Sequence, residues 1–152
     1  MTYDELLEEI ELHGIDVVEM DIGKHKGLYA DNIIALSKNI KTFKEKTCIL
    51  AEELGHHLKT HGEIIGNKSI SKVKQERIAR NWGYEKLVGI IDLVNAFNAG
   101  VHGRYEIAQY LNVTEEFLQA AIEYYKQKYG TYFEIDTYVI YFEPHLGIMK
   151  KF

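Results

Sequence analysis

Five consecutive residues, Glu52-Glu53-Leu54-Gly55-His56, constrain this 152-residue chain more than any other stretch. In a helix, residues four apart lie one turn above each other on the same face, so Glu52 and His56 can grip one partner between them. Glu53 sits about 100° further round the axis, beside that partner rather than on it. On the same helix Thr47, Ala51, Leu54 and Leu58 form a stripe, with Leu50 at its margin, that would bury against a core. Glu52, Glu53 and His56 then point largely the other way, with Ile49 among them, which suits the wall of a cleft. Adjacent carboxylates in a partly buried site repel each other and resist ionisation, a cost that a metal ion relieves. The competing reading is a plain solvated charge run, since acidic side chains usually face water.

The pattern reads as an H-E-x-x-H helix, the metal-binding helix of zinc peptidases, with a carboxylate in place of the first histidine. In such a helix two ligands stand at i and i+4 and a general base stands beside the first. Zinc accepts carboxylate oxygen as well as imidazole nitrogen, so glutamate is a chemically competent first ligand. It is harder and more anionic than histidine. It should weaken the Lewis acidity of zinc and favour a harder ion such as manganese.

The segment Cys48-Ile49-Leu50-Ala51-Glu52-Glu53-Leu54-Gly55-His56-His57, followed by Gly62-Glu63-Ile64, resembles the ImmA/IrrE family of metallopeptidases, specifically its small phage and mobile-element members. The resemblance continues at Gln75-Glu76-Arg77-Ile78-Ala79-Arg80-Asn81-Trp82, through Tyr84-Glu85-Lys86-Leu87-Val88, and upstream at Gly27-Leu28-Tyr29-Ala30-Asp31-Asn32. Tyr105 to Leu111 and Val113 to Leu118 look like the helical tail of the phage members, so that the match covers roughly residues 15 to 130.

The resemblance implies roles for particular residues. Glu53 matches the general base, and His56 matches the second histidine ligand. Glu52 stands where the family has its first histidine and departs from the pattern. The family's third ligand is a glutamate on the following helix, and Glu76 matches its E-x-x-A setting, with Ala79 one turn later letting two helices approach closely. A metal held by Glu52, His56 and Glu76 would keep a fourth position for water, as a catalytic site requires. The implied fold is α+β: a zincin-like core with a motif helix and a small sheet, then a C-terminal helical segment and a terminal strand or hairpin. The implied activity is that of a zinc-dependent metallo-endopeptidase, cleaving a regulatory protein such as a phage or mobile-element repressor of the helix-turn-helix type. Manganese is the alternative metal. The departure at Glu52 leaves a second reading open, a catalytically inactive scaffold that binds and sequesters a repressor.

Composition fits a compact intracellular chain. The length predicts one domain, residues 1–152, with a peptidase core over 15–100, a helical extension over 101–130 and a strand and tail over 131–152. One cysteine excludes an internal disulfide and suits a reducing cytosol, which the resemblance implies is that of a bacterial host; Cys48 reads as a small buried residue rather than a nucleophile. The acidic N-terminus lacks the apolar run of a signal peptide, and no stretch approaches a membrane span. A net charge of −5 gives no electrostatic reason to expect nucleic acid as a partner.

Local signals place the elements. Thr2 with Glu5, and Thr42 with Glu45, read as capping boxes opening helices that run to about Leu12 and about His61. Ile15 to Met20 reads as a strand, and Leu28-Tyr29 with Ile33 to Leu36 as a hairpin about Asp31-Asn32, an edge beside the cleft to which an extended substrate could add. Gly62 to Ser71 reads as a loop, and Ser71 as the cap of a helix bearing Glu76 and extending towards Ala99, with Gly83 and Gly89 marking a kink or close packing. Helices at Tyr105–Leu111 and Thr114–Tyr129 follow, then strand or hairpin over Thr131–Phe142 and a turn-like end at Glu143 to Gly147.

The other candidates have plainer readings. His57 lies off the Glu52–His56 face and suits packing or a hydrogen bond between elements, although His57 and His61 also have ligand spacing. His13, His25, His102 and His145 lack partners at that spacing. Tyr84 suits a core or interface position, with donation to an oxyanion as the alternative. Residues 105 to 127 have the apolar spacing of a helix-turn-helix, but Thr114-Glu115-Glu116 would aim two acids at phosphates, so a protein-binding or core-completing hairpin is the better reading.

Overall fold

A computed structural model describes residues 1–60 and 71–151. Thr2 caps α1 (Tyr3–Leu12) through a complete capping box with Glu5, and Gly14, at φ +75°, lets the chain turn out of the helix into β1 (Asp16–Met20). β2 (Gly27–Ala30) and β3 (Ile33–Ser37) form a hairpin whose turn residues, Asp31 and Asn32, both adopt positive φ, the backbone that a two-residue hairpin loop demands. β1 then pairs parallel to β3, giving the order β1-β3-β2 and leaving β2 as an edge. Alternation along β3 turns Ile34 and Leu36 inward, where they meet Leu6 and Ile10 of α1.

The motif helix α2 (Phe43–Gly55) packs its Leu50, Ala51 and Leu54 into this core, each fully buried. The Thr42 side chain accepts from the Glu45 amide, but the reciprocal half of the box is not made. The helix was expected to continue regularly to about His61. Instead the ladder widens at Gly55 into a π-helical turn, His56–Thr60. That change of pitch rotates Leu58 away from the stripe of Thr47, Ala51 and Leu54, and it is exposed rather than buried. The expected loop from Gly62, with Gly66-Asn67 and His61 before it, lies outside the described residues as far as residue 70.

Ser71 caps α3 (Lys72–Leu87), which crosses α2 at close range. A methyl group on Gly55 would stand 2.5 Å from the Ala79 carbonyl oxygen, so the two backbones are nearly in contact there. The single helix expected from Ser71 towards Ala99 is in fact two. α3 stops at Leu87, and Gly89 becomes the N-cap of α4 (Ile90–Asn98), its amide donating to Asp92 Oδ2 at 3.0 Å. Gly83 lies within α3 against the backbone of α2, so of the two glycines one marks packing and the other a break.

α5 (Arg104–Leu111) and α6 (Glu115–Tyr129) form a helical hairpin turned by Asn112 in the left-handed region. α6 lies on α3, where the Tyr125 hydroxyl donates to the Val88 carbonyl at 2.7 Å. The chain ends in an antiparallel sheet, β4 (Tyr132–Ile135), β5 (Tyr138–Tyr141) and β6 (Gly147–Lys150). The hairpin is as expected, but the turn-like end leads into a third strand, β6, whose four residues pair with β5. The whole is a mixed α+β architecture, and no helix among the described residues is long and apolar enough to cross a membrane.

Candidate metal centre

Glu52 leaves the last turn of α2, and His56 follows one turn later, where α2 passes into the π-helical turn. His56 keeps right-handed helical angles (φ −59°, ψ −45°) and its amide still donates to the Glu52 carbonyl, so the i, i+4 relation survives the change of pitch. Glu76 arrives from the first half of α3, brought in by the close approach of Gly55 to Ala79. One donor atom from each of Glu52, His56 and Glu76 lies within 4.8 Å of the other two. His56 Nε2 and Glu76 Oε2 are 3.1 Å apart. All three side chains are half-buried, and Glu52 also lines a cleft.

Glu53 differs from its expected placement. It was expected to face the cleft with Glu52 and His56, but only 7% of it is exposed. The cause is β2. Gly27 passes so close over α2 that a methyl group there would stand 3.2 Å from the Glu53 carboxylate oxygen and 2.5 Å from Ile49. Burial pushes the Glu53 carboxyl up to about 8, and the nearby Glu52 and Glu76 charges push the same way. Burial also raises Glu52, against the downward pull of the Arg80 guanidinium, whose Nε is 3.7 Å from Glu52 Oε1. Two carboxyls thus converge on one half-buried imidazole with a third, Glu53, close enough to feel their charge, and among the described residues Arg80 is in partial compensation. Two carboxylate oxygens and a ring nitrogen are donors that zinc or manganese accepts, and a cation among them offsets the repulsion that adds to burial in lifting Glu52 and Glu53. The donor set fits a divalent metal.

Beside the triad runs a cleft of about 590 Å³ whose walls include Lys26, Glu45, Ile49, Glu52, Arg80 and Tyr84. Tyr84 takes the core position expected for it, buried with its ring edge-on to Phe117 at 5.2 Å, and it also lines the cleft. Cys48 reaches the same cleft, but burial pushes its thiol up to about 11, which keeps it protonated and unreactive. His57 turns away from the triad, as its spacing implied, and its Nδ1 lies 2.6 Å from the Tyr29 hydroxyl. That hydrogen bond ties the π-helical turn to β2. Gly27 and Arg80 were assigned no role from the sequence. Arg80 could have been found as the residue one turn beyond Glu76 on the same helix face. Gly27 could not, because its role exists only once β2 lies on α2.

A family model, described as the IrrE N-terminal-like domain, Peptidase_M78, matches residues 10–123. No curated protein and no solved structure matches the chain.

Proposed function

This chain belongs to the IrrE N-terminal-like peptidase family, and from that premise we propose that it is a metal-dependent endopeptidase with a zincin-like core. The observation that carries the proposal is the convergence of Glu52, His56 and Glu76 within 4.8 Å beside a buried Glu53. Glu52, His56 and Glu76 would hold the metal, zinc or, because the set is rich in carboxylate, manganese. When bound, it would supply Lewis acidity and lower the pKa of a water. Glu53, held between β2 and the triad, is the base that takes a proton from the attacking water and hands it to the departing amine. Tyr84, whose burial raises its pKa and so keeps the hydroxyl protonated, is the donor placed on the cleft wall for a developing oxyanion. The open edge of β2 offers backbone groups to an extended polypeptide, which would lie across the triad as an added strand.

The resemblance to phage and mobile-element members supports a regulatory protein as substrate, a repressor of the helix-turn-helix type, met in the cytoplasm of a bacterial host. One observation favours the second reading, a scaffold that sequesters such a repressor without cutting it: a carboxylate stands where the family motif has its first histidine, and Arg80 already lies against it. Elemental mass spectrometry of the purified protein decides whether the triad binds metal. We expect about one zinc or manganese per chain, lost in Glu52→Ala and in His56→Ala. No metal after incubation with either ion would leave the scaffold. With metal bound, Glu53→Gln should abolish cleavage of a candidate repressor while leaving capture of it intact.

A further inference from the structure

A second cavity, of about 330 Å³, opens where the loop before β2 faces the loop after β3. Its charged walls are Lys24, Lys26 and Lys41 with His25, against Glu45 as its one carboxylate. Glu45 is already engaged, 3.0 Å from Lys26 Nζ, whereas Lys24 and Lys41 have no ion-pair partner among the described residues. This concentration of positive charge stands out in a chain of net charge −5. The cavity adjoins the main cleft, with the Lys26–Glu45 pair on the walls of both. Lys26 immediately precedes the open edge strand β2.

We propose that this basic cavity is a docking site for an acidic stretch of the polypeptide that occupies the cleft. The inference rests on the reading of the cleft as a peptide-binding groove. The stretch of α2 from Glu45 to Glu52 spans about 10 Å, a length that an extended chain covers in about three residues. An aspartate- or glutamate-rich stretch about four to six positions from the bond at the triad would therefore reach Lys24 and Lys41. Unpaired lysines on an exposed rim attract such a stretch over a Debye length and hold it in register, which serves selection and on-rate more than tight binding. A nucleic acid is the weaker occupant. The cavity is small, and Glu52 and Glu116 in the neighbouring cleft would oppose a phosphate chain, charged at every residue, more than a peptide that is acidic only where it meets the lysines.

The test uses fluorescein-labelled peptides of extended, uncharged sequence, carrying a block of four glutamates at one end, at the other, or replaced by glutamines. Binding is read by fluorescence anisotropy on Glu53→Gln protein, so that cleavage plays no part. We expect one acidic peptide to bind about tenfold more tightly than the glutamine peptide at low salt, with the advantage shrinking as salt rises. Lys24→Glu with Lys41→Glu should remove that advantage, and Lys24→Gln with Lys41→Gln should remove most of it. All these positions are exposed, so the melting temperature should stay unchanged and mark the variants as folded. An acidic preference that survives both double variants overturns the proposal, and so does the lack of any preference. A single-stranded oligonucleotide that binds more tightly than the peptides, and is lost in the same variants, overturns it in favour of nucleic acid. Acidic-peptide binding that depends on Lys24 and Lys41, in a protein that takes up no metal, upholds the docking site while refuting the peptidase reading.

Discussion

Two titratable side chains are buried in this molecule in opposite ways. Tyr125, in the aromatic layer between α6 and the C-terminal sheet, stacks on Phe142 and Tyr129 and donates a hydrogen bond to the Val88 carbonyl. Its pKa is raised chiefly by burial, and its neutral form is fully satisfied. Glu53, between α2 and β2, is buried against a glycine and an isoleucine, next to two further carboxylates. The first arrangement meets every demand of the buried group within the fold. The second, among the described residues, sets like charges beside one another in a buried place. A region that only holds the chain together has no reason to retain such a conflict, whereas a site that must bind a cation or move a proton does.

The conflict is held in place by backbone contact, and breaking that contact should have the largest effect. Gly55→Ala drives a methyl group against the Ala79 carbonyl, a backbone atom that cannot swing aside. We expect a loss of roughly 3 kcal/mol by thermal or urea unfolding, and a loss of metal, because Glu76 is carried out of reach of Glu52 and His56. The conflict itself is exposed by Glu53→Gln in protein stripped of metal with a chelator. The Glu53 carboxyl titrates near 8 in the fold, against an ordinary value of 4.5. Between those pH values the folded state keeps a proton that the unfolded state has released, so stability falls as pH rises through that window. The glutamine variant lacks this term. It should be the more stable protein at pH 7.5, with a gap that narrows as pH falls and closes below pH 4.5. A wild type that is the more stable at pH 7.5 would mean that Glu53 is not buried as a liability.

What could be read from the sequence is what short-range chemistry decides. Thr2 with Glu5 and Asp31-Asn32 specify their cap and their turn within a few residues of chain. Glu52 and His56 share a face by helical spacing alone. Glu76 could be joined to them only through the family resemblance, because nothing local tells α3 where to cross α2. Gly89 could be read as a kink or close packing, but not as a full break, for a physical reason: apolar residues run on through Leu87, Val88, Ile90 and Ile91, and only the Asp92 side chain turning back to the Gly89 amide starts a new helix. β6 was hidden because four residues become a strand only when β5 is there to pair with them. The burial of Glu53 was hidden because it depends on Gly27, which is distant in sequence and close only in the fold.

The satisfied region should respond in kind, more weakly. Tyr125→Phe removes one hydroxyl, keeps the stack on Phe142 and Tyr129, and leaves the Val88 carbonyl without its partner. That should cost about 1–2 kcal/mol in urea unfolding, without change in metal content.

The smallest effect separates the two glycines that let α3 lie on α2. Gly83 faces the same helix as Gly55 does its partner, yet a methyl group there would sit 3.4 Å from the Glu52 amide nitrogen, at the edge of ordinary contact. Alanine is the better helix former by up to about 1 kcal/mol, which offsets a slight repacking. Gly83→Ala should therefore change stability by less than about 1 kcal/mol in either direction. Its second readout is sharper. The new methyl group presses on the backbone that carries Glu52, so a shift of a few tenths of an ångström would act on the triad rather than on the core. If metal affinity falls while the melting temperature holds, the triad tolerates less displacement than the packing around it. If both hold, the precision of the site resides in the Gly55–Ala79 contact alone.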